Sequence, residues 1–193
     1  MTAGDGSFDE VTEEVSAIIG TLDPGVYNVC VHGTDVADNT GDQECILLVV
    51  FDPEDGFVTG GGWINSPAGA YKPDDTLTGK ATFGFVSKYK KGATVPTGKT
   101  EFQFKACDLN FHSSDYDWLV VAGAKAIFKG SGTINGEGDY GFMLTAIDGK
   151  LNGGRGVDKF RIKIWNKDAG NGVIYDNGVE SELQGGSIVI HKK

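Results

Sequence analysis

The chain has 193 residues, 30 of them Gly and only 5 Pro, with a formal net charge of −10. That length suits one or two domains, and the acidic balance argues against nucleic acid as a partner. No apolar run approaches the roughly 20 residues that cross a bilayer as a helix, so membrane insertion is not expected. Abundant Gly, Val, Ile, Thr and aromatics make this a strand-and-turn composition.

Charge is distributed in a step. The first 56 residues hold 13 Asp and Glu and no Lys or Arg, whereas the remaining 137 hold 14 acidic and 17 basic residues. The step falls at Asp52-Pro53-Glu54-Asp55-Gly56, which predicts an acidic module over 1–52, a linker over 53–56 and a larger, mildly basic module over 57–193. The opening lacks a basic segment followed by an apolar one, so no signal peptide is expected. Met1-Thr2-Ala3-Gly4-Asp5-Gly6 reads as the middle of something longer.

In chain order, residues 14–19 predict a short strand. In the next, Tyr27, Val29 and Val31 alternate with Asn28, Cys30 and His32, one face buried and one wet. A turn over residues 35–42 leads to the strand E-C-I-L-L-V-V-F. Folding this hairpin about residues 37 and 38 sets Cys30 opposite Cys45 and predicts a disulfide, which would stabilise by roughly 3 kcal/mol in the chain-entropy model. The alternative is a reduced pair of small buried residues. No C-x-x-C pair points to zinc, and Cys107 reads as a packed residue rather than a nucleophile.

From Phe57 the texture changes. F-V-T-G-G-G-W-I-N-S-P-A-G-A-Y is a strand with a glycine cluster and a turn. Phe83 with Phe85, and Phe102 with Phe104, mark two further strands with one apolar face each. Strands over 117–121, 126–134 and 140–147 follow, with turn signals at Asn135-Gly136 and Asp148-Gly149. K-F-R-I-K-I-W alternates most cleanly, predicting Phe160, Ile162 and Ile164 inward and Lys159, Arg161, Lys163 and Trp165 outward. The last strands are 173–175 and 186–191, with Ile188 and Ile190 as core residues. Trp63 is expected in the core or a close-packed turn, and Trp118 is expected to be buried. No segment has a helical apolar period. The pattern predicts an all-β chain whose C-terminal domain is an antiparallel, jelly-roll-like β-sandwich.

Two resemblances follow from these motifs. P-G-V-Y-N-V-C-V-H-G-T-D-V-A-D-N-T-G, within about residues 20–51, resembles the F–G hairpin of bacterial immunoglobulin-like or fibronectin-like repeats. A complete sandwich of that kind has about seven strands, and only about three are expected here, a partial Ig-like sandwich. V-T-G-G-G-W-I, S-P-A-G-A-Y, F-G-F-V-S-K-Y-K-K-G, L-N-F-H-S, D-K-F-R-I-K-I-W and G-G-S-I-V-I-H-K, spread over 57–193, resemble the C-terminal post-COAP-type domain of large secreted bacterial and archaeal proteins. That likeness implies a secreted or cell-surface β-domain terminating a series of Ig-like repeats, and carries over no catalytic residue.

The candidate sites are few. Asn166, Asp168, Asn171 and Asp176 surround one loop, and Asp35, Asp38 and Asp42 another. Oxygen ligands so spaced suit Ca2+, although turn chemistry selects the same residue types. The acidic module as a whole is a further Ca2+ candidate at an interdomain junction, with Asp52 and Asp55 contributing. Trp165 beside Arg161 and Lys163 offers an aromatic-cationic platform for a sugar or an acidic polymer; the competing reading is a Trp covering a sheet edge. His112 lies near Ser113, Ser114, Asp115 and Asp117, but a catalytic triad needs groups converging from separate elements, so no enzyme is expected. The expected role is a structural or adhesion module, partnered by copies of itself or by upstream Ig-like repeats through exposed strand edges. The alternatives are Ca2+-assisted glycan binding and a C-terminal secretion or sorting domain acting through residues 185–193.

Overall fold

The computed structural model describes all residues except 5, 8–11, 13, 36, 55 and 193. It is all-β apart from one 3-10 turn at Lys105–Cys107. Among the described residues three sheets are present. The first pairs β1 (Thr2–Ala3) with β2 (Val15–Ser16), and the second pairs β3 (Gly25–Val31) with β4 (Glu44–Val50). The third has ten antiparallel strands: β5 (Phe57–Ser66), β6 (Gly79–Lys88), β7 (Thr97–Phe104), β8 (Leu109–Ala122), β9 (Lys125–Ile134), β10 (Glu137–Ile147), β11 (Lys159–Asn166), β12 (Gly172–Asp176), β13 (Ser181–Glu182) and β14 (Gly185–His191). Strands β5 to β12 lie side by side in chain order, β14 pairs with β5, and β13 pairs with β11. This is a meander, not the crossed strand order of a jelly roll, and the end strands β12 and β14 do not pair, so no barrel closes.

The sheet folds over because β8 is long and irregular. Its pairing with β9 shifts register between Ser113 and Asp115 and again between Tyr116 and Trp118. Such bulges bend a strand and sharpen its twist. Strand β7 follows β8 only through Glu101–Phe104 and then leaves it. The Tyr89 hydroxyl fills the gap, donating to Leu119 O (3.1 Å) and accepting from Leu119 N (3.0 Å). Folding brings the inner faces together around aromatic rings. Phe83 of β6 stacks on Phe160 of β11 at 3.9 Å, and Phe102 of β7 meets Tyr175 of β12 at 4.7 Å. Phe102, Phe104, Phe160, Ile162, Ile164 and Ile188 have no exposed surface. Gly60 is required here, since a Cβ on it would stand 2.4 Å from the Phe85 ring.

Open sheet edges invite pairing with other chains, and this sheet covers both of its ends. Beside β12, Lys72 N donates to Ile174 O and Asp176 N to Ala70 O, so residues 70–72 lie along its free edge. Beside β14, two aspartates flanking the β10–β11 loop act in place of a strand. Asp158 accepts from Ile188 N and Gly149 N, both at 2.7 Å, while Asp148 accepts from Ile190 N and Lys150 N, both at 3.0 Å. Asn177 splices β12 and β13 to β11: its Oδ1 accepts from Ile162 N and its Nδ2 donates to Phe160 O.

Several sequence expectations need correction. The strand over 14–19 shrinks to Val15–Ser16, leaving Ile18 fully exposed. The strand over 117–121 is the far half of a 14-residue β8. Trp118 is half-buried and pairs with Lys129 on the outer face, opposite in direction to Leu119. Trp63 also points outward, with the Lys80 ammonium over its ring at 4.6 Å. The face of β3 expected to be buried is uncovered at Val31.

Candidate interaction surfaces

Two surfaces carry the expected site residues. The first is the β3–β4 hairpin. Its register sets Cys30 opposite Cys45, and the two form the disulfide. One face carries Tyr27, Val29, Val31, Ile46, Leu48 and Val50, and the other carries Val26, Leu47 and Val49 beside the disulfide. Among the described residues neither strand is hydrogen-bonded to a third strand. Ile46 is 70% exposed and Leu47 47%. A two-stranded ribbon with apolar groups on both faces is marginal alone; here the disulfide and the approach of β3 to β8 support it.

At the hairpin tip Asp35 Oδ1 accepts from Ala37 N (2.8 Å) and Asn39 N (2.9 Å), and Oδ2 from Asn39 Nδ2 (2.8 Å). Those bonds, the side-chain amide first, hold its carboxyl below the usual aspartate range. Asp38 takes the left-handed conformation that the turn needs, with φ of 63°. Asp35, Asp38 and Asp42 therefore share one tip whose best-bonded carboxylate is occupied by turn amides. Asp52 accepts from Glu54 N, and Asp55 lies outside the described residues.

The second surface is the outer face of β8 to β11. Trp165, Lys163 and Arg161 share it, as alternation predicts. Arg161, however, is committed: its Nε and one terminal nitrogen each donate to Asp176 at 3.0 Å. Burial alone would raise the Asp176 carboxyl, but the Arg161 bonds, Gly178 N–H and nearby charge outweigh it and hold the group below its ordinary value. Asp176 is thereby separated in role from the other three loop residues. Asn166 Oδ1 accepts from Asp168 N (2.9 Å), Asp168 Oδ2 accepts from Asp139 N (3.3 Å), and Asn171 is left-handed with φ of 60°. Among the described residues no three Asp, Glu, His or Cys side chains converge as a metal-holding group.

Trp165 has different neighbours from those its sequence suggests. Its indole lies across Gly141, where a Cβ would stand 2.3–2.5 Å from three ring atoms. Around it lie two ion pairs that no local pattern announces, Lys129–Asp117 (3.0 Å) and Lys167–Asp139 (2.8 Å), and the Lys167 ammonium also donates to the Ser131 hydroxyl (3.2 Å).

The histidine–serine cluster does not assemble. His112 Nδ1 faces Glu101 at 3.6 Å, and the Ser113 hydroxyl accepts from Thr100 N. Cys107 is half-buried, with its thiol toward Phe104 O and pushed up by burial. No family model matches the chain, and neither the curated proteins nor the solved structures contain a match to it.

Proposed function

We propose that the chain is a non-catalytic extracellular structural module whose β3–β4 hairpin is completed by strands of a second copy. The observation that carries this reading is a contrast within one molecule. The ten-stranded sheet covers both of its ends, while the hairpin, among the described residues, is hydrogen-bonded to no further strand and keeps Ile46, Leu47 and Val31 in water. Strand addition to such an edge supplies backbone hydrogen bonds, and apolar faces of this kind are the usual mark of an interaction site. The charge step favours head-to-tail contact, since the first 56 residues carry 13 acidic side chains and no Lys or Arg, against a net +3 on the remainder. In this reading the hairpin is similar to the F–G hairpin of an Ig-like sandwich and 57–193 is a terminating sandwich-type domain similar to the post-COAP type. The disulfide agrees with a secreted or cell-surface setting.

Light scattering coupled to size exclusion tests it. The expected result is a mass that rises above 20.4 kDa with concentration and falls back at high salt. Ile46→Lys, on an exposed side chain, should abolish the larger species and leave thermal stability within about 0.5 kcal/mol. A chelator arm separates Ca2+-dependent assembly from strand pairing alone. A 20.4 kDa monomer at every concentration and ionic strength, with and without Ca2+, overturns the proposal.

A further inference from the structure

We infer that the outer face of β8–β11 binds a neutral saccharide, with the Trp165 indole as its stacking platform. This inference is independent of the assembly reading. Beside the ring opens a shallow cleft of about 220 Å³ lined by Asp117, Lys129, Ser131, Trp165, Lys167 and Asn171. A Cβ on Gly141 would stand 2.3–2.5 Å from three indole atoms, so the ring lies against the bare strand while remaining part of the cleft lining. A flat indole face with polar groups at its rim suits the C–H face of a pyranose, whose hydroxyls are left for hydrogen bonding.

The polar rim argues for a sugar over other ligands. Lys129 is paired with Asp117 and Lys167 with Asp139, so the cleft offers donors and acceptors together at little net charge. Sugar hydroxyls donate and accept at once and use both. An anion would meet the carboxylates of Asp117 and Asp139. Covering a bare glycine strip would by itself explain the position of the ring, but not two ion pairs, a serine hydroxyl and Asn171 gathered beside it.

Register extends the face. Lys163, Met143, Lys129 and Trp118 form one row across β11, β10, β9 and β8. Trp165 lies two residues along β11 from Lys163, so Trp118 and Trp165 stand on the same side of the sheet, roughly 16 Å apart at the usual inter-strand spacing and rise. A short oligosaccharide chain can span that distance, which points to a polysaccharide over a free monosaccharide.

Affinity electrophoresis of the full chain through gels containing a β-glucan, a xylan or a galactomannan, followed by an oligosaccharide array, tests the inference. The wild type should be retarded by at least one polymer, unchanged in 0.5 M salt, as expected of stacking and neutral hydrogen bonds. Trp165→Ala should weaken binding about tenfold or more, and Trp63→Ala, whose ring lies beneath Lys80, should not. Because Trp165→Ala also bares Gly141, Asn171→Gly provides a second variant. Gly accepts the same φ of 60°, so the fold and melting temperature should hold while binding weakens. Absence of binding to every saccharide, equal binding by Trp165→Ala, or binding that salt abolishes would each overturn the inference; the last would assign the face to an anion held by its lysines.

Discussion

Replacing Asp158 by Ala tests how the outer edge of β14 is held. Asp158 holds two amides, Ile188 N on the last strand and Gly149 N on the β10–β11 loop, and both residues are buried. Neither N–H can turn to water without opening the structure. A hydrogen bond to a charged group contributes about 1.5–3 kcal/mol, and a buried donor left unpaired costs a similar amount. Two such bonds give an expected loss of roughly 3–4 kcal/mol after partial relaxation. For a sheet domain of this size that corresponds to a melting temperature lower by about 10 °C. Asp158→Asn keeps the shape and one acceptor and should fall between. Asp148 holds Ile190 N and Lys150 N in the same way, so the double Ala variant should lose less than the sum of the singles, because once β14 is released there is little left for the second change to break. Thermal and denaturant unfolding give the magnitudes, and hydrogen exchange gives the place: Ile188 and Ile190 amides should lose protection while β9 and β10 keep theirs. A change below about 2 °C in Asp158→Ala, with β14 amides still protected, would refute the reasoning.

Two further expectations follow. Cys30→Ser with Cys45→Ser should destabilise the hairpin by roughly 3 kcal/mol, seen as faster proteolysis within residues 25–50, while the main unfolding transition stays in place; a fall in the main transition would mean that the hairpin supports the large sheet. At high pH, burial pushes the Tyr175 phenol up to about 12 and raises Tyr89 and Tyr116 as well. Neutral phenol is the form the fold favours, so the stabilisation is complete below pH 10 and is lost as pH rises through about 12. For Tyr175 this amounts to roughly 2–3 kcal/mol. Phenolate absorbance should therefore rise in two stages, the second coinciding with loss of tertiary circular dichroism; a single reversible titration of all six tyrosines with the fold intact would contradict it.

How much of this was legible depends on the range over which each feature is encoded. The inward set Phe160, Ile162 and Ile164 follows from alternation alone, because β11 is regular and its inner face meets a packed core. The Cys30–Cys45 pairing follows from the symmetry of one hairpin. Trp118 was misplaced because Leu119, Val120 and Val121 are all buried, which hides the period, and because two bulges change the parity of β8. The jelly-roll expectation failed for another reason: strand spacing is the same in a meander and in a crossed fold, and only pairing distinguishes them. The aspartate clamp was out of reach, since Asp158 and Asp148 act on residues 30 and 42 positions away. On the outer face the position of Trp165 was legible, but its partners were not. Arg161 is taken by Asp176, and the polar groups that do surround the ring come from β8, β9 and the β11–β12 loop.

The two surfaces differ in the physical price they exact, and that difference gives the assembly reading its priority. Trp165 half-buried over a glycine is a stable arrangement with or without a ligand, so its presence demands nothing further of the molecule. The hairpin is different. Ile46, 70% exposed, and Leu47, 47% exposed, forgo roughly 1–2 kcal/mol of burial each, and among the described residues the outer edges of the hairpin have no strand partner. The same chain uses Asp148, Asp158 and residues 70–72 to cover edges elsewhere. Protection at one sheet and exposure at the other, within a single polypeptide, argue that the hairpin is kept open for a partner, and that its acidic flank helps to select a partner of opposite charge.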